Sequence, residues 1–559
     1  MHRLLIALLL PILLGASPPS VLEGDTQTFL GPIKVVGEIY RWLDSVLGTA
    51  TLATVAPITL YVETTGNDSN DCLSVSTACL TIQEAINRIP KNIGHTVSIT
   101  VGSGNFAGFV VSGFIVTDQN QFSVQGTLGA YSPATGLQTG VADGAGGSTE
   151  KLVDSDGGWT VNNLKGSLLK IGTEYRFIRD NTATEIEVVG AFSATCNGKT
   201  YEIVESKTVI TSNASVGSAR VYITANVARS GGIRILNLKS SGGTYGFFAD
   251  GTSGTRFQYL HAYGFSGVGF INQFVDYATI FDIAASAGTG TSYGIFISHS
   301  HMSSVGRMFS FSSTGAYGIR AYSTSINSPS YWVVYDLTGT SVYGIALEAM
   351  MNMELTGTNR IKNITGSTSV YGAGFYSGAY YKISGTLLID TITKTGAVDL
   401  TTGIGLYQGQ PCDVNLHNIT VTNCTSHGIS ATRSTSIMLV TASLTNNDGY
   451  GLHAIQNSNI IFRNGTQTVS GNALGGVYAG TSAKVLLDNT DGSNTGYGIT
   501  VEQGARVTID SGTGITGTTN NILLDDVEKT YAGDFAVNKD TEIGVYGSVV
   551  QRYDGLDFM

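Results

Sequence analysis

A short unit made of an aromatic residue, a glycine and an apolar residue keeps returning along this chain. It reads "SYGIF" at 292–296, "AYGIR" at 316–320, "VYGIA" at 342–346 and "GYGIT" at 496–500. Marking its glycine gives Gly246, Gly269, Gly294, Gly318, Gly344, Gly372, Gly403, Gly428, Gly451, Gly476 and Gly498, with a mean spacing of (498 − 246)/10 = 25.2 residues. A unit of that length without helical periodicity indicates a β-solenoid, in which each repeat buries its apolar face only against its neighbours. The residue one place after each glycine is apolar throughout, as in Phe270, Ile295, Ile319, Ile345 and Leu452. The residue three places after is mostly apolar, as in Ile297, Leu347, Phe375 and Leu406. Side chains two apart on a strand share a face, so these two positions are predicted to point inward and stack from rung to rung. The glycine is predicted to form the corner entering each strand, where φ > 0 costs it little. The aromatic residue before it is predicted to stack on its neighbour one rung away.

The totals agree with this reading. Glycine supplies 72 of 559 residues and charged residues only 13%, which suits tightly turning β structure better than helices. The net charge of −11 and the lack of any Lys/Arg run exclude nucleic acid as an expected partner. The spacing extends the repeats over 206–526. Residues 527–559 leave the period and are expected to form a C-terminal cap or oligomerisation segment.

Upstream, residues 1–17 ("MHRLLIALLLPILLGAS") have the basic, apolar and small-residue order of a secretory signal. An uncleaved hydrophobic peg buried in an assembly is the other reading. The apolar run is too short for an ordinary bilayer span, and none is expected later in the chain. Residues 18–58 carry a helical stripe at 33–48 and are expected to serve attachment or oligomer contact. A β-helix start is predicted over 59–142. Within it, Thr81 and Glu84 form a capping-box pattern that opens a helix over 81–89, which Pro90 ends. "TVSITV" at 96–101 then alternates as a strand. Residues 143–205 break the pattern and read as a small inserted β subdomain of short antiparallel strands.

The order strand, "GNDSND", "TIQEAI" helix and alternating strand across 60–115 resembles the opening of right-handed parallel β-helix proteins of the pectate-lyase-like superfamily. Such openings occur in phage tail spikes and fibres and in secreted proteins that bind or cleave polysaccharides. The resemblance implies an all-β right-handed parallel β-helix whose helix caps the open end. It also implies a homotrimer, with other virion tail proteins as further partners, that meets a cell-surface polysaccharide from a virion tail or the extracellular space. The leading expectation is thus a phage tail spike or fibre-type attachment protein recognising a host glycan, with depolymerase activity as an open addition. A secreted polysaccharide lyase or glycoside hydrolase and a non-catalytic surface adhesin are the alternatives.

Equal offsets on neighbouring rungs suggest where chemistry would sit. Asp276 and His301 both fall seven places after their glycines, and Asp282 and Arg307 thirteen. Such pairs would stand about one strand spacing, ~4.8 Å, apart on the outer surface, as acid/base and anion clamp or as a plain charge ladder. Tyr322, Glu348, Tyr376 and Tyr407 share the fourth position after the glycine on consecutive rungs. They would present rings to sugar faces with Glu348 accepting hydroxyls, or pack against a partner chain. Asp336 points outward without an obvious partner. If the chain is exported, Cys72–Cys79 and Cys412–Cys424 are candidate disulfides; otherwise all five cysteines are reduced. No metal-binding spacing and no cofactor motif occur, so neither a metal nor a cofactor is expected.

Overall fold

The structure, a computed structural model, describes residues 53–525 except 118–119, 132–134, 216–217, 229–230, 291, 329–330, 350–351, 377–379, 397–400, 408–412, 464 and 510–513, together with 531–532 and 543–546. The signal-like segment, the 33–48 stripe and Cys412 lie outside these residues.

The chain is an all-β parallel solenoid of about 16 turns. Each turn adds one strand to each of three parallel columns. The glycine column runs from Phe109–Ser112 through Ala219–Thr224, Tyr245–Asp250 and Val268–Gln273, and each later marked glycine lies on its own strand. A second column starts at Ile58–Val62, Val97–Val101 and Phe122–Gln125. A third starts at Gly104–Phe106, Thr208–Ile210 and Leu238–Ser241. The registers pair Phe247 with Phe270, then Ile295, Ile319, Ile345, Ala373 and Ile404. All seven are at most 4% exposed, so the column one place after the glycine is one continuous file in the core. The column three places after is equally buried, and it includes the polar Asn272. The tyrosine rings stack as expected, with Tyr293, Tyr317, Tyr343 and Tyr371 successively 4.9 Å apart.

The glycines do a different job from the one predicted. None of the marked glycines has positive φ. A Cβ on Gly344 would stand 2.5 Å from the carbonyl oxygen of Gly372 and 2.7 Å from Ile361 Cγ2. The same approach to the next glycine's carbonyl recurs at Gly246, Gly269, Gly294, Gly318, Gly372, Gly403 and Gly428. Glycine is therefore required by close approach of backbone to backbone. The corner comes five residues later, in the left-handed conformation, at Gly251, Phe274, His299, Ser323 and Ala349. Ordinary residues tolerate that conformation here because the corners hydrogen-bond in register: the amide of Phe274 donates to Ser298 O, that of His299 to Tyr322 O, and that of Ser323 to Glu348 O.

Thr81 N-caps the helix Ile82–Asn87 by accepting from the Glu84 amide, and Ile82, Ala85 and Ile86 are buried in the main core. Cys72 and Cys79 are disulfide-bonded, with Cα atoms 5.0 Å apart. Cys424 is a free thiol, and its candidate partner Cys412 lies outside the described residues. The Cys424 side chain lines the solenoid interior, 1% exposed, where burial raises its pKa.

The break in the repeat is a seven-stranded antiparallel sheet with its own core around Trp159, Leu169, Ile178 and Tyr201. It begins upstream of residue 143, since Leu128–Ala130 and Thr139–Val141 both pair with Thr200–Ser206. Leu168, Phe177, Val189 and Val204 of this insertion pack on Ala284, Phe309, Phe311, Val333 and Tyr335, the outer face of the third column. At the other end, Tyr531–Ala532 and Ile543–Tyr546 continue two of the columns inside the stretch predicted to leave the period. Among the described residues, no helix is long and apolar enough to cross a membrane.

Candidate functional site

Of the sequence-predicted residues, the register pairs Asp276 with His301 on adjacent strands. Asp276 Oδ1 lies 3.0 Å from His301 Nδ1, with side chains 59% and 63% exposed. Both follow the left-handed corner made by Phe274 on one rung and His299 on the next. The Phe274 and His299 rings stack at 4.9 Å, and the Tyr322 ring meets His299 edge-on at 5.2 Å. Phe274 and Tyr277 are 57% and 61% exposed, among the largest apolar surfaces left open in the described residues. One corner of the solenoid thus carries exposed rings next to an exposed carboxylate and imidazole. The Asp276–His301 pair is open to solvent, and an ion pair in open water contributes little to stability. Its free oxygens and nitrogens suit hydroxyl groups better than proton transfer in a water-excluded pocket.

Asp282 is not on the open surface that its offset suggested. It is fully buried, and Arg307 grips it through Nε at 2.5 Å and Nη2 at 2.8 Å. The cause is the insertion, which covers this face: Gly190 leaves room for the Arg307 side chain, with a built Cβ only 2.5 Å from its Cδ. Burial alone would lower the Arg307 pKa, but the hydrogen bond and charge of Asp282 raise it. The pair is thus an internal tie between two solenoid rungs beneath the insertion, with its charges spent on each other.

The column four places after the glycine is also rearranged. Glu348 binds Arg320 at 2.6 Å and is thereby committed. The Arg320 guanidinium lies 4.9 Å from the Tyr317 ring centre and 5.5 Å from those of Tyr293 and Phe296. Tyr376 folds back over Gly374, where an added Cβ would meet its ring at 2.7 Å, and meets Tyr343 edge-on. Tyr322 and Tyr376 are partly buried, so these rings cover their own sheet more than they offer a platform. Tyr407 pairs with Tyr376 through its backbone, and its side chain lies outside the described residues.

Asp336, expected to lack a partner, receives Lys165 of the insertion at 2.8 Å and Asn363 Nδ2 at 2.8 Å. Lys165 also reaches Asp180 at 3.9 Å. Asp180 lines a groove of about 520 Å³ between the insertion and the third column, together with Glu187, Arg360, Lys362 and Asp390. The offsets followed along the sequence, four, seven and thirteen places after the glycine, pass over Phe274 and Tyr277, which stand five and eight places after Gly269. The groove was missed because it joins segments ~200 residues apart, which no local spacing reveals. Among the described residues, no group of three or more His, Cys, Asp or Glu could hold a metal.

No protein-family model and no curated protein matches this chain. Among solved structures, it is similar to the Gp54 tailspike of Acinetobacter baumannii bacteriophage AP22, in complex with a capsular saccharide. The two are 12% identical over 81% of this chain and 72% of that one, with a TM-score of 0.21. The tailspike gp61 of Pseudomonas phage phi297 is 11% identical over 82% and 76%, with a TM-score of 0.20. A glycoside hydrolase is 7% identical over 84% and 96%, with a TM-score of 0.22. Values this low transfer no residue role to this chain, and the fold rests on its own strand registers.

Proposed function

We propose that this solenoid is a glycan-binding attachment protein of the phage tail spike or fibre kind, acting as a homotrimer at a virion tail or outside the cell. The observation that carries the reading is the corner at Phe274, Tyr277, Asp276 and His301. Exposed rings on a rigid β scaffold stack on the apolar faces of pyranose rings, and flanking carboxylate and imidazole groups hydrogen-bond the hydroxyls. Rings fixed by stacked corners lose little entropy on binding. The opening of the chain over 60–115 resembles that of such proteins and supports the same reading. The test is binding of the full chain to purified bacterial capsule and lipopolysaccharide glycans. Phe274→Ala and Tyr277→Ala are expected to weaken binding about tenfold each, with the melting temperature unchanged in Tyr277→Ala and lowered only slightly in Phe274→Ala, which gives up the stack on His299. Undiminished binding by the double variant would refute the assignment.

Polysaccharide cleavage is the second reading, favoured by a carboxylate pair bridged by Lys165, Asp180 in the lining of the groove and Asp336 outside it. Lys165 contacts both Asp180 and Asp336, so the two carboxylates stand no farther apart than those two contacts laid end to end, inside the ~9.5 Å limit for a glycosidase pair. Release of new reducing ends that disappears in Asp336→Asn would establish it. Binding without product would leave attachment alone.

A further inference from the structure

The cavity where the insertion meets the third column holds a serine and a histidine that neither binding nor glycosidic cleavage uses. His261 and Ser286 lie on adjacent strands of that column, and the register aligns His261 with Ala284, two residues before Ser286. They are therefore diagonal neighbours on the outward face. Ser286 Oγ is 2.7 Å from His261 Nε2. Both line a cavity of about 180 Å³ whose walls include Tyr131, Glu205, Lys239 and Tyr263. Tyr263 is 45% exposed, so the cavity reaches solvent. The imidazole is held from several sides: Phe177 and Tyr263 meet it edge-on, Phe311 lies tilted against it, and Gly166 leaves just enough room at Cε1.

We propose that Ser286 and His261 form a nucleophile–base pair that hydrolyses O-acyl esters, with a small acyl substituent such as acetyl as the group removed. The Ser286 hydroxyl attacks the ester carbonyl carbon while His261 Nε2 takes its proton. The proton passes to the departing alcohol oxygen as the ester C–O bond breaks. Water, deprotonated by the same nitrogen, then releases the acid from the acyl-serine and returns the serine. One ester and one water thus give one alcohol and one acid, with no oxidant or further reactant. Enclosure and the nearby Lys239 charge lower the His261 pKa to about 3, so the ring is neutral in ordinary media, and its role as base rests on its 2.7 Å contact with Ser286 Oγ. The Lys239 ammonium, which lines the same cavity, supplies positive charge for the developing oxyanion. The cavity accommodates an acetyl group but not a sugar chain, which would lie outside with only its substituent inserted. That the alcohol is a glycan hydroxyl rests on the function proposed above; the nucleophile does not.

The experiment therefore uses the full chain with p-nitrophenyl acetate and, separately, a fluorophosphonate probe. The expected result is turnover above background, one equivalent of probe on Ser286, and at least a hundredfold loss of rate in Ser286→Ala and His261→Gln. Ser286→Ala removes one buried oxygen and leaves the packing in place; an unchanged melting temperature verifies this. Background-level hydrolysis, labelling elsewhere, or a rate that survives Ser286→Ala would overturn the proposal. Ester hydrolysis without any glycan binding would instead contradict only the glycan reading.

Discussion

The glycine in each repeat is needed for the room it leaves, and that has a measurable consequence. Gly344→Ala places a methyl group against the Gly372 carbonyl and Ile361, both fixed by neighbouring rungs. A loss of about 1–3 kcal/mol is expected in urea unfolding, where an ordinary strand position would gain from the same change. The spacing of the glycines was legible in the sequence, but a spacing cannot distinguish a tight corner from a tight crossing. Corners escaped notice because their conformation is imposed by rung-to-rung hydrogen bonds and is indifferent to residue type. A second consequence concerns protons. His427 stacks on His453 at 4.2 Å, its Nδ1 accepts from the Tyr450 amide, and burial lowers its pKa to about 4. An unfolded chain protonates this histidine below its ordinary 6.5, while the fold resists until about 4. The stabilisation is thus complete above about pH 6.5 and is lost as pH falls towards 4, by of order 1–3 kcal/mol. His427→Gln should flatten that fall in melting temperature between pH 7 and 4.

The element scale is governed by ladders inside the coil. Asn447, Asn472 and Asn494 are each at most 4% exposed and succeed one another on consecutive rungs. Asn472 Oδ1 accepts from the Asn447 amide and side chain, and its Nδ2 donates to Leu444 O and Asn494 Oδ1. Asn472→Leu breaks this run at its middle, stranding the buried donors of Asn447 on one side and taking a donor from Leu444 O and Asn494 Oδ1 on the other. Destabilisation of about 2–4 kcal/mol is expected in urea unfolding, with binding to the open corner unaffected. All three lie four residues before a marked glycine, so the column was readable in the sequence. It was overlooked because apolar positions were the ones followed inward. The insertion was legible as a break in the period, but its landing place was not. Asp282 looked solvent-facing by its offset and is buried only because a segment about a hundred residues earlier folds back over it.

At the scale of the whole molecule, the solenoid holds side chains from distant repeats in fixed mutual positions. The stacking of Ile295, Ile319 and Ile345 could be read directly from a period of two within a period of about 25. Which outward positions act together could not, since outward side chains are free of that constraint and are sorted by corners and by the insertion. The result is an aromatic corner open to solvent and a covered cleft on another face of the same rod. The most direct measurement is crystallographic. Crystals of the full chain, soaked with an oligosaccharide that it retains in solution, should show a sugar ring stacked on Phe274 or Tyr277, with a hydroxyl within hydrogen-bond distance of Asp276 or His301. Density confined to the groove beneath the insertion, or to any other face while this corner stays bare, would contradict the assignment.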